Sequence, residues 1–324
     1  MYRPEIKVLD CTIRDGGLMN NWDFSMDQVK RIYQALWEAG VDHMEIGYRH
    51  DKEMFPPEKS GPWRHCDEEL VHEVVTSAEE VEDKERPRIA VMADIGKSVE
   101  SDFTLPAAES AVDMVRIATY AKDADKAVHF AKHCKDLGYE ISINLMSISH
   151  CTEFELHEAL QAMVESPADV ICVVDSFGAL YSEEVAYLVQ KYQKYVADRP
   201  IEIGVHMHNN MQLAFSNTIE GVIRGANRLD GTLYGMGRGA GNCCTELLLS
   251  FLKNPKFDVR PVLSVISDIM LPMREKIEWG YLIPYMVTGS LDEHPRSAIA
   301  WLGKPERNDF TTFYDKMREG VPIS

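Results

Sequence analysis

Eight short β-branched or apolar runs recur along the chain, at residues 6–10, 43–48, 88–93, 113–118, 140–145, 169–174, 201–206 and 229–233, and this recurrence restricts the fold more than any other feature. Between them lie segments with apolar residues at helical spacing: Met26–Ala39 behind a Ser25 cap, Asp123–Leu137, Glu153–Glu165, Ser182–Tyr195 and Gln212–Arg224. Gly40, Gly138 and Gly225 close three of these segments where a helix end favours glycine. Strand starts spaced by about 25 to 45 residues suit right-handed βα units around a parallel sheet buried on both faces. Eight such units within roughly 250 residues fit an α/β fold of the (β/α)8 TIM-barrel type better than an open, doubly wound sheet. Residues 1–256 are therefore expected to form the barrel. Residues 257–324 are expected to form a mostly helical C-terminal extension, in which Pro261–Glu278 reads as a helix interrupted at Pro272. That extension is expected to pack on the barrel or on a second copy of the chain, as a homo-oligomer.

Charge and cysteine usage narrow the function classes. Lys and Arg number 34 against 52 Asp and Glu, a net charge of −18, so the overall field opposes nucleic-acid phosphates and anionic lipid. Neither nucleic acid nor a membrane is expected as a partner. No run approaches the ~18 uninterrupted apolar residues of a membrane span, and MYRPEIKVLD lacks a signal-peptide core, so a cytoplasmic protein is expected. The 7 cysteines are odd in number and show no C-x-x-C pair, which points to reduced thiols. The charged run at residues 79–88 reads as a solvated helix face and the turn after it.

TIM-barrel active sites lie at the C-terminal ends of the strands, which singles out three segments. The seventh run closes with GVHMHNN, where His206 and His208 are two apart on a strand and project to one side, a spacing suited to a metal-ligand pair. The first run leads into DCTIRDGGLMNN, with Arg14 and Asp15 ahead of a Gly16-Gly17 turn, and that carboxylate could complete a His-His-Asp site. An Arg-Asp ion pair capping a strand is the plainer alternative. The eighth run leads into GMGRGAGN at 235–242, whose backbone can approach a ligand closely, although Ala240 breaks the G-x-G-x-x-G dinucleotide pattern.

Together these segments resemble the metal-dependent pyruvate aldolase and lyase superfamily, whose barrels begin with D-x-T-x-R-D-G, and within it the 4-hydroxy-2-oxovalerate aldolase-like branch. The matching pieces are DCTIRDG, VDHMEIG, VRIATYAKDAD, VVDSFGALY, GVHMHNN and RLDGTLYGMGRGAGN, in that order over roughly residues 5–255. The resemblance implies a carbon-carbon lyase that cleaves or forms a 4-hydroxy-2-oxo acid from pyruvate and an aldehyde. It implies Asp15, His206 and His208 as metal ligands, Asn242 as a further or outer ligand, Arg14 as the oxyanion-stabilising residue, and Glu45 and Ser176 in or near the pocket. Mixed oxygen and nitrogen ligation suits Mn2+ or Mg2+, with Co2+ or Zn2+ as competitors. The chain departs from the family at Leu18, where these aldolases carry a histidine, and Gly17-Leu18 replaces the Glu-Gln of the acyl-CoA condensing enzymes. Tyr48, His50, Tyr281 and Tyr285 are then the candidates for proton transfer. The C-terminal tail also differs from the family's larger communication domain. Two alternatives remain: a Claisen-type acyl-CoA condensing enzyme, and a non-catalytic barrel that binds metal or an acid. The long segment 49–66 reads as a lid, in which Arg49 and Arg64 would meet an anionic substrate.

Overall fold

The computed structural model describes residues 2–323. Eight parallel strands, β1 (Lys7–Asp10), β2 (His43–Tyr48), β3 (Arg88–Asp94), β4 (Met114–Thr119), β5 (Glu140–Leu145), β6 (Val170–Asp175), β7 (Glu202–Met207) and β8 (Arg228–Gly231), close in sequence order into a barrel. Closure comes from β1 against β8, with Lys7 opposite Arg228 and Asp10 opposite Gly231. Each strand falls within two residues of the run that predicts it. The reason is that a barrel strand is covered on its outer face by helices, so its sequence is apolar enough to stand out.

Around the barrel lie α1 (Thr12–Asn20), α2 (Met26–Glu38), α3 (Glu68–Thr76), α4 (Ala124–Asp136), α5 (Glu153–Glu165), α6 (Ser182–Val196), α7 (Ala214–Arg224) and α8 (Thr245–Leu252). The Ser25 cap is a full capping box: its hydroxyl accepts from the Gln28 N–H, and the Gln28 side chain accepts from the Ser25 N–H. The crossover from β3 to β4 contains only short 3-10 turns, at Glu100–Asp102 and Ala107–Glu109. Its sequence offers Gly96 and Pro106 and no helical period, and Phe103 is buried in place of a helix face. The run at 79–88 is likewise not helical, since α3 stops at Thr76. Its Arg86 is tied to Asp113 by two hydrogen bonds of 3.0 and 2.9 Å.

The barrel interior is layered. Lys7, His43, Glu140 and Arg228 gather at the N-terminal end, a small apolar layer of Leu9, Ala90, Met114 and Val170 follows, and charged residues fill the C-terminal end. The main apolar core lies outside the strands, between them and the helices.

Beyond the barrel helices come α9 (Arg260–Val265), a π-helical turn at Ile266–Met270, α10 (Leu271–Arg274), α11 (Ile283–Ser290), α12 (Arg296–Leu302) and α13 (Phe310–Arg318). The expected break at Pro272 is absent. The π turn just before it widens the helix, which accommodates the missing N–H without interrupting the segment. The tail packs on its own barrel, where Tyr285, Val287, Trp301 and Phe313 form a small core with Ala240 of the glycine-rich loop. Among the described residues no helix is long and apolar enough to cross a membrane, and all cysteines are free.

Candidate metal centre

The DCTIRDGG segment folds differently from its expected glycine turn. Helix α1 begins two residues after β1 and runs through both glycines. They serve close packing, because a Cβ on Gly17 would stand 2.0 Å from Trp22. This early helix start holds Arg14 and Asp15 at the barrel mouth, where both are buried. His206 lies on β7 and His208 just past its end, paired there with Asn242 from the glycine-rich loop. One ligand atom each from Asp15, His206 and His208 lie within 4.8 Å of one another. Gly237 permits this approach, since a Cβ there would meet Asn242 at 2.2 Å and Asp15 at 2.5 Å.

Both imidazoles have their Nδ1 atoms occupied. His206 Nδ1 faces Asp230 Oδ2 at 3.0 Å, and His208 Nδ1 faces the Gly241 carbonyl at 3.2 Å. A proton on each Nδ1 makes both hydrogen bonds and leaves each Nε2 lone pair free for a cation. Burial holds His208 well below the usual histidine range against the pull of Asp15, so it is neutral. Burial alone would raise the Asp15 carboxyl, but Arg14, His208, His206 and the Asn242 amide together hold it well below its ordinary value. The Asn242 amide nitrogen donates to Asp15, which fixes the orientation of the amide, and its Oδ1 is left buried without a partner among the described residues.

A run of alternating charges supports the cluster. Arg14 Nη1 donates to Asp15 at 2.7 Å and Nε to Glu45 at 2.7 Å; Arg116 Nη1 donates to the same Glu45 oxygen at 3.0 Å. Arg116 also donates to Asp230, the partner of His206, so the chain of contacts leads from one end of the triad back to the other. Burial raises the Asp230 carboxyl, but Arg116 and then His206 outweigh it and hold it at about 2. Cys11, His206 and Asp230 make a second compact group. Its members are already engaged, however, with the Cys11 thiol on the Gly231 carbonyl at 3.3 Å.

The sequence model of the HMGL-like family matches residues 5–270, which takes in the whole barrel and every residue of this cluster. The chain belongs to the HMGL-like family. It is 33% identical over 277 residues to the 4-hydroxy-2-oxovalerate aldolase of Pelotomaculum thermopropionicum, covering 84% of this chain and 78% of that one. It is 32% identical over 319 residues to the enzyme of the same name from Roseiflexus, covering 92% of this chain and 91% of that one. A crystal structure of the N-terminal domain of a candidate aldolase from Bacteroides vulgatus matches with a TM-score of 0.81 and 31% identity, over 95% of this chain and 100% of that one.

The other residues singled out by sequence divide into two groups in this HMGL-like barrel. Glu45 and Tyr48 lie at the mouth, with the Arg14 guanidinium 6.0 Å from the Tyr48 ring centroid and the phenol pushed above its usual range by burial. Ser176, after β6, accepts the Ser147 N–H at 2.8 Å with its hydroxyl. Arg49 is placed elsewhere: its guanidinium donates to the Cys66 carbonyl at 3.2 Å and to Glu68 at 3.3 Å, and lies 5.3 Å from the Phe103 ring. Segment 49–66 is tied down rather than hinged. Trp63 is fully buried with its indole N–H on the Phe24 carbonyl, and the Gly61 N–H donates to the Asn21 carbonyl at 2.8 Å. His50 is stacked between Tyr48 and Phe55, Tyr285 lies against Gly239, Tyr281 is exposed, and Leu18 is a partly exposed α1 residue. Sequence reasoning missed Arg116, Asp230 and Arg238. Arg116 carries a readable signal, a charge in the middle of an otherwise apolar strand, whereas Asp230 lies in the short strand RLDG, which already holds Arg228.

Proposed function

We propose that this protein is a divalent-metal-dependent aldolase that cleaves or forms a 4-hydroxy-2-oxo acid, with pyruvate and an aldehyde as its small-molecule partners. The observation that carries it is the convergence of Asp15, His206 and His208 within 4.8 Å, with the Arg14 guanidinium on the same carboxylate. The donor set fits a divalent ion: one ionised carboxylate, two imidazoles with free Nε2 atoms, and the unpartnered Oδ1 of Asn242 at hand. Mn2+ or Mg2+ suits this mixture, with Co2+ or Zn2+ as competitors. Such an ion, when bound, supplies Lewis-acid polarisation of the 2-keto group.

The protein's own groups account for the rest. Arg14 has two of its nitrogens fixed by Glu45 and Asp15, which leaves Nη2 to donate to the substrate's C2 oxygen. As the bond between C3 and C4 breaks, the C4 hydroxyl proton passes to solvent, C4 becomes the aldehyde carbon, and the electron pair passes through C3 to the C2 oxygen; a proton taken up at C3 then completes pyruvate. The fixed guanidinium stabilises the negative charge that develops there without reorganising. Tyr48 keeps its proton at neutral pH and serves as a donor. Burial of the cluster excludes water and strengthens each of these contacts.

The test is exchange of the pyruvate methyl protons in D2O, followed by NMR with Mg2+-loaded protein, because enolisation is the shared half of any pyruvate aldol reaction. Exchange above a chelated control is expected. Arg14→Ala slows it by about 10²- to 10³-fold. Absence of exchange, together with no cleavage of any 4-hydroxy-2-oxo acid, rejects the aldolase.

A further inference from the structure

Arg14 is not the only guanidinium at the barrel mouth. Arg238, from the glycine-rich loop after β8, has its backbone N–H 3.4 Å from Asp15 Oδ2 and donates through Nη2 to the Ser176 carbonyl beyond β6. Arg14, by contrast, is held by Glu45 on β2. In a closed barrel with its strands in sequence order, β2 and β6 are four places apart and lie across the mouth from each other. The two cations thus approach the triad from opposite sides.

Their charge balance differs. Arg14 is satisfied by two carboxylates at 2.7 Å each, whereas Arg238 forms no salt bridge among the described residues and its Nε is buried without a hydrogen-bond partner. Asp15 acts on it electrostatically, but that carboxylate is already shared by Arg14 and Asn242. A guanidinium left this way is costly unless an anion arrives to meet it. A further donor stands nearby. His294, between α11 and α12, packs against Phe177 with ring centroids 5.5 Å apart, and its Nδ1 accepts the Arg296 N–H at 3.1 Å, so that Nε2 carries the proton. The glycine-rich loop and the tail therefore each bring a hydrogen-bond donor, the Arg238 guanidinium and the His294 Nε2–H, beside the end of β6, where the Ser176 carbonyl accepts from Arg238.

We propose that Arg238 recognises a second carboxylate on the substrate, so that the site selects dicarboxylic 2-oxo acids over monocarboxylic ones. The inference rests on the aldolase reading for the other end of the molecule, the 2-oxo acid head at Asp15, His206 and His208. One guanidinium beside a neutral imidazole matches a carboxylate, which needs two donors; a phosphate would call for more.

The test compares two five-carbon acids that differ by one carboxylate, 2-oxoglutarate and 2-oxopentanoate, by calorimetric titration of Mg2+-loaded protein. Wild type is expected to bind 2-oxoglutarate about 10- to 100-fold more tightly. Arg238→Gln removes that preference and leaves 2-oxopentanoate binding within about twofold, which also shows that the variant is folded; Arg238→Lys retains part of it. A wild type without preference overturns the proposal, and so does an Arg238→Gln variant that weakens both acids equally, which would assign Arg238 to the carboxylate they share. Pyruvate methyl exchange keeps the two conclusions separate. A preference that depends on Arg238 without exchange retains the anion site and rejects the aldolase, and exchange without preference does the reverse.

Discussion

Replacing Glu45 by glutamine removes the negative charge on which two buried guanidiniums depend. Glu45 is fully buried, and a single one of its oxygens accepts from Arg14 at 2.7 Å and from Arg116 at 3.0 Å. Breaking a buried ion pair on one side costs about 3–5 kcal/mol, because the remaining charge is left uncompensated. Glutamine keeps the volume and an acceptor oxygen, and Asp15 and Asp230 still face the two arginines, so about 3 kcal/mol is expected. For a chain of 324 residues this corresponds to a fall in Tm of about 4 °C. Urea unfolding followed by two probes measures it, with coincidence of the probes as the check on two-state behaviour. The same variant loosens the Nε anchor of Arg14, so pyruvate methyl exchange should slow by about tenfold. Pairing the change with Arg116→Met should cost less than the two single changes summed, since each removes what the other leaves stranded. A stability change under about 1 kcal/mol, with exchange within twofold of wild type, would refute the view that Glu45 supports the site.

Three further outcomes follow from the same geometry. Asp15→Asn and His208→Ala should each lose bound divalent metal, as read by elemental analysis, while the far-UV circular dichroism spectrum stays that of a barrel; full occupancy in both would dismiss the ligand assignment. Burial pushes the Asp10 carboxyl up to about 6 against its hydrogen bonds from Thr245 and Thr12, so the native state holds its proton more tightly than the unfolded chain does. Stability from this group is therefore fully present below about pH 4 and is lost as pH rises to and through 6, by up to about 3 kcal/mol, and Asp10→Asn should flatten that part of the pH profile of urea midpoints. Gly61→Ala would set a Cβ 1.9 Å from the Trp22 carbonyl oxygen, so it should destabilise by about 2 kcal/mol or more and release segment 49–66 to faster hydrogen exchange.

The barrel was legible in the sequence because its strands and helices obey local rules. Runs such as VICVV at 170–174 are apolar on both faces, and Glu153–Glu165 carries its own capping box at Thr152, so its boundaries follow from a few neighbouring residues. What failed depended on distant contacts. Gly16 and Gly17 look like a turn in isolation; they are helical because Trp22 and Met236 need the space where their side chains would be. The length of segment 49–66 and its local excess of cations suggested a lid. Its fixed state depends on Trp63 and Gly61 meeting residues 21–24, which no local pattern encodes.

The site divides along the same line. Asp15, His206 and His208 sit in compact motifs whose spacing announces a shared direction, and those motifs also carry the family resemblance. Arg116 and Asp230 belong to different strands, and their relevance appears only when closure of the barrel brings β4 and β8 inward onto Glu45 and His206. Arg238 was hidden differently. In GMGRGAGN the glycines draw attention to backbone approach, whereas the structure shows them clearing room for a side chain: Gly237 lets Asn242 reach Asp15, and the next residue lays its guanidinium across to Ser176. Leu18 stands exposed on α1 where the resemblance implies a histidine, and Arg238 adds a charge on the side of β6 and β8. On the proposed reading, the cluster of Asp15, His206 and His208 sets what bond chemistry the barrel supports, and Arg238 beside it sets which acid is accepted.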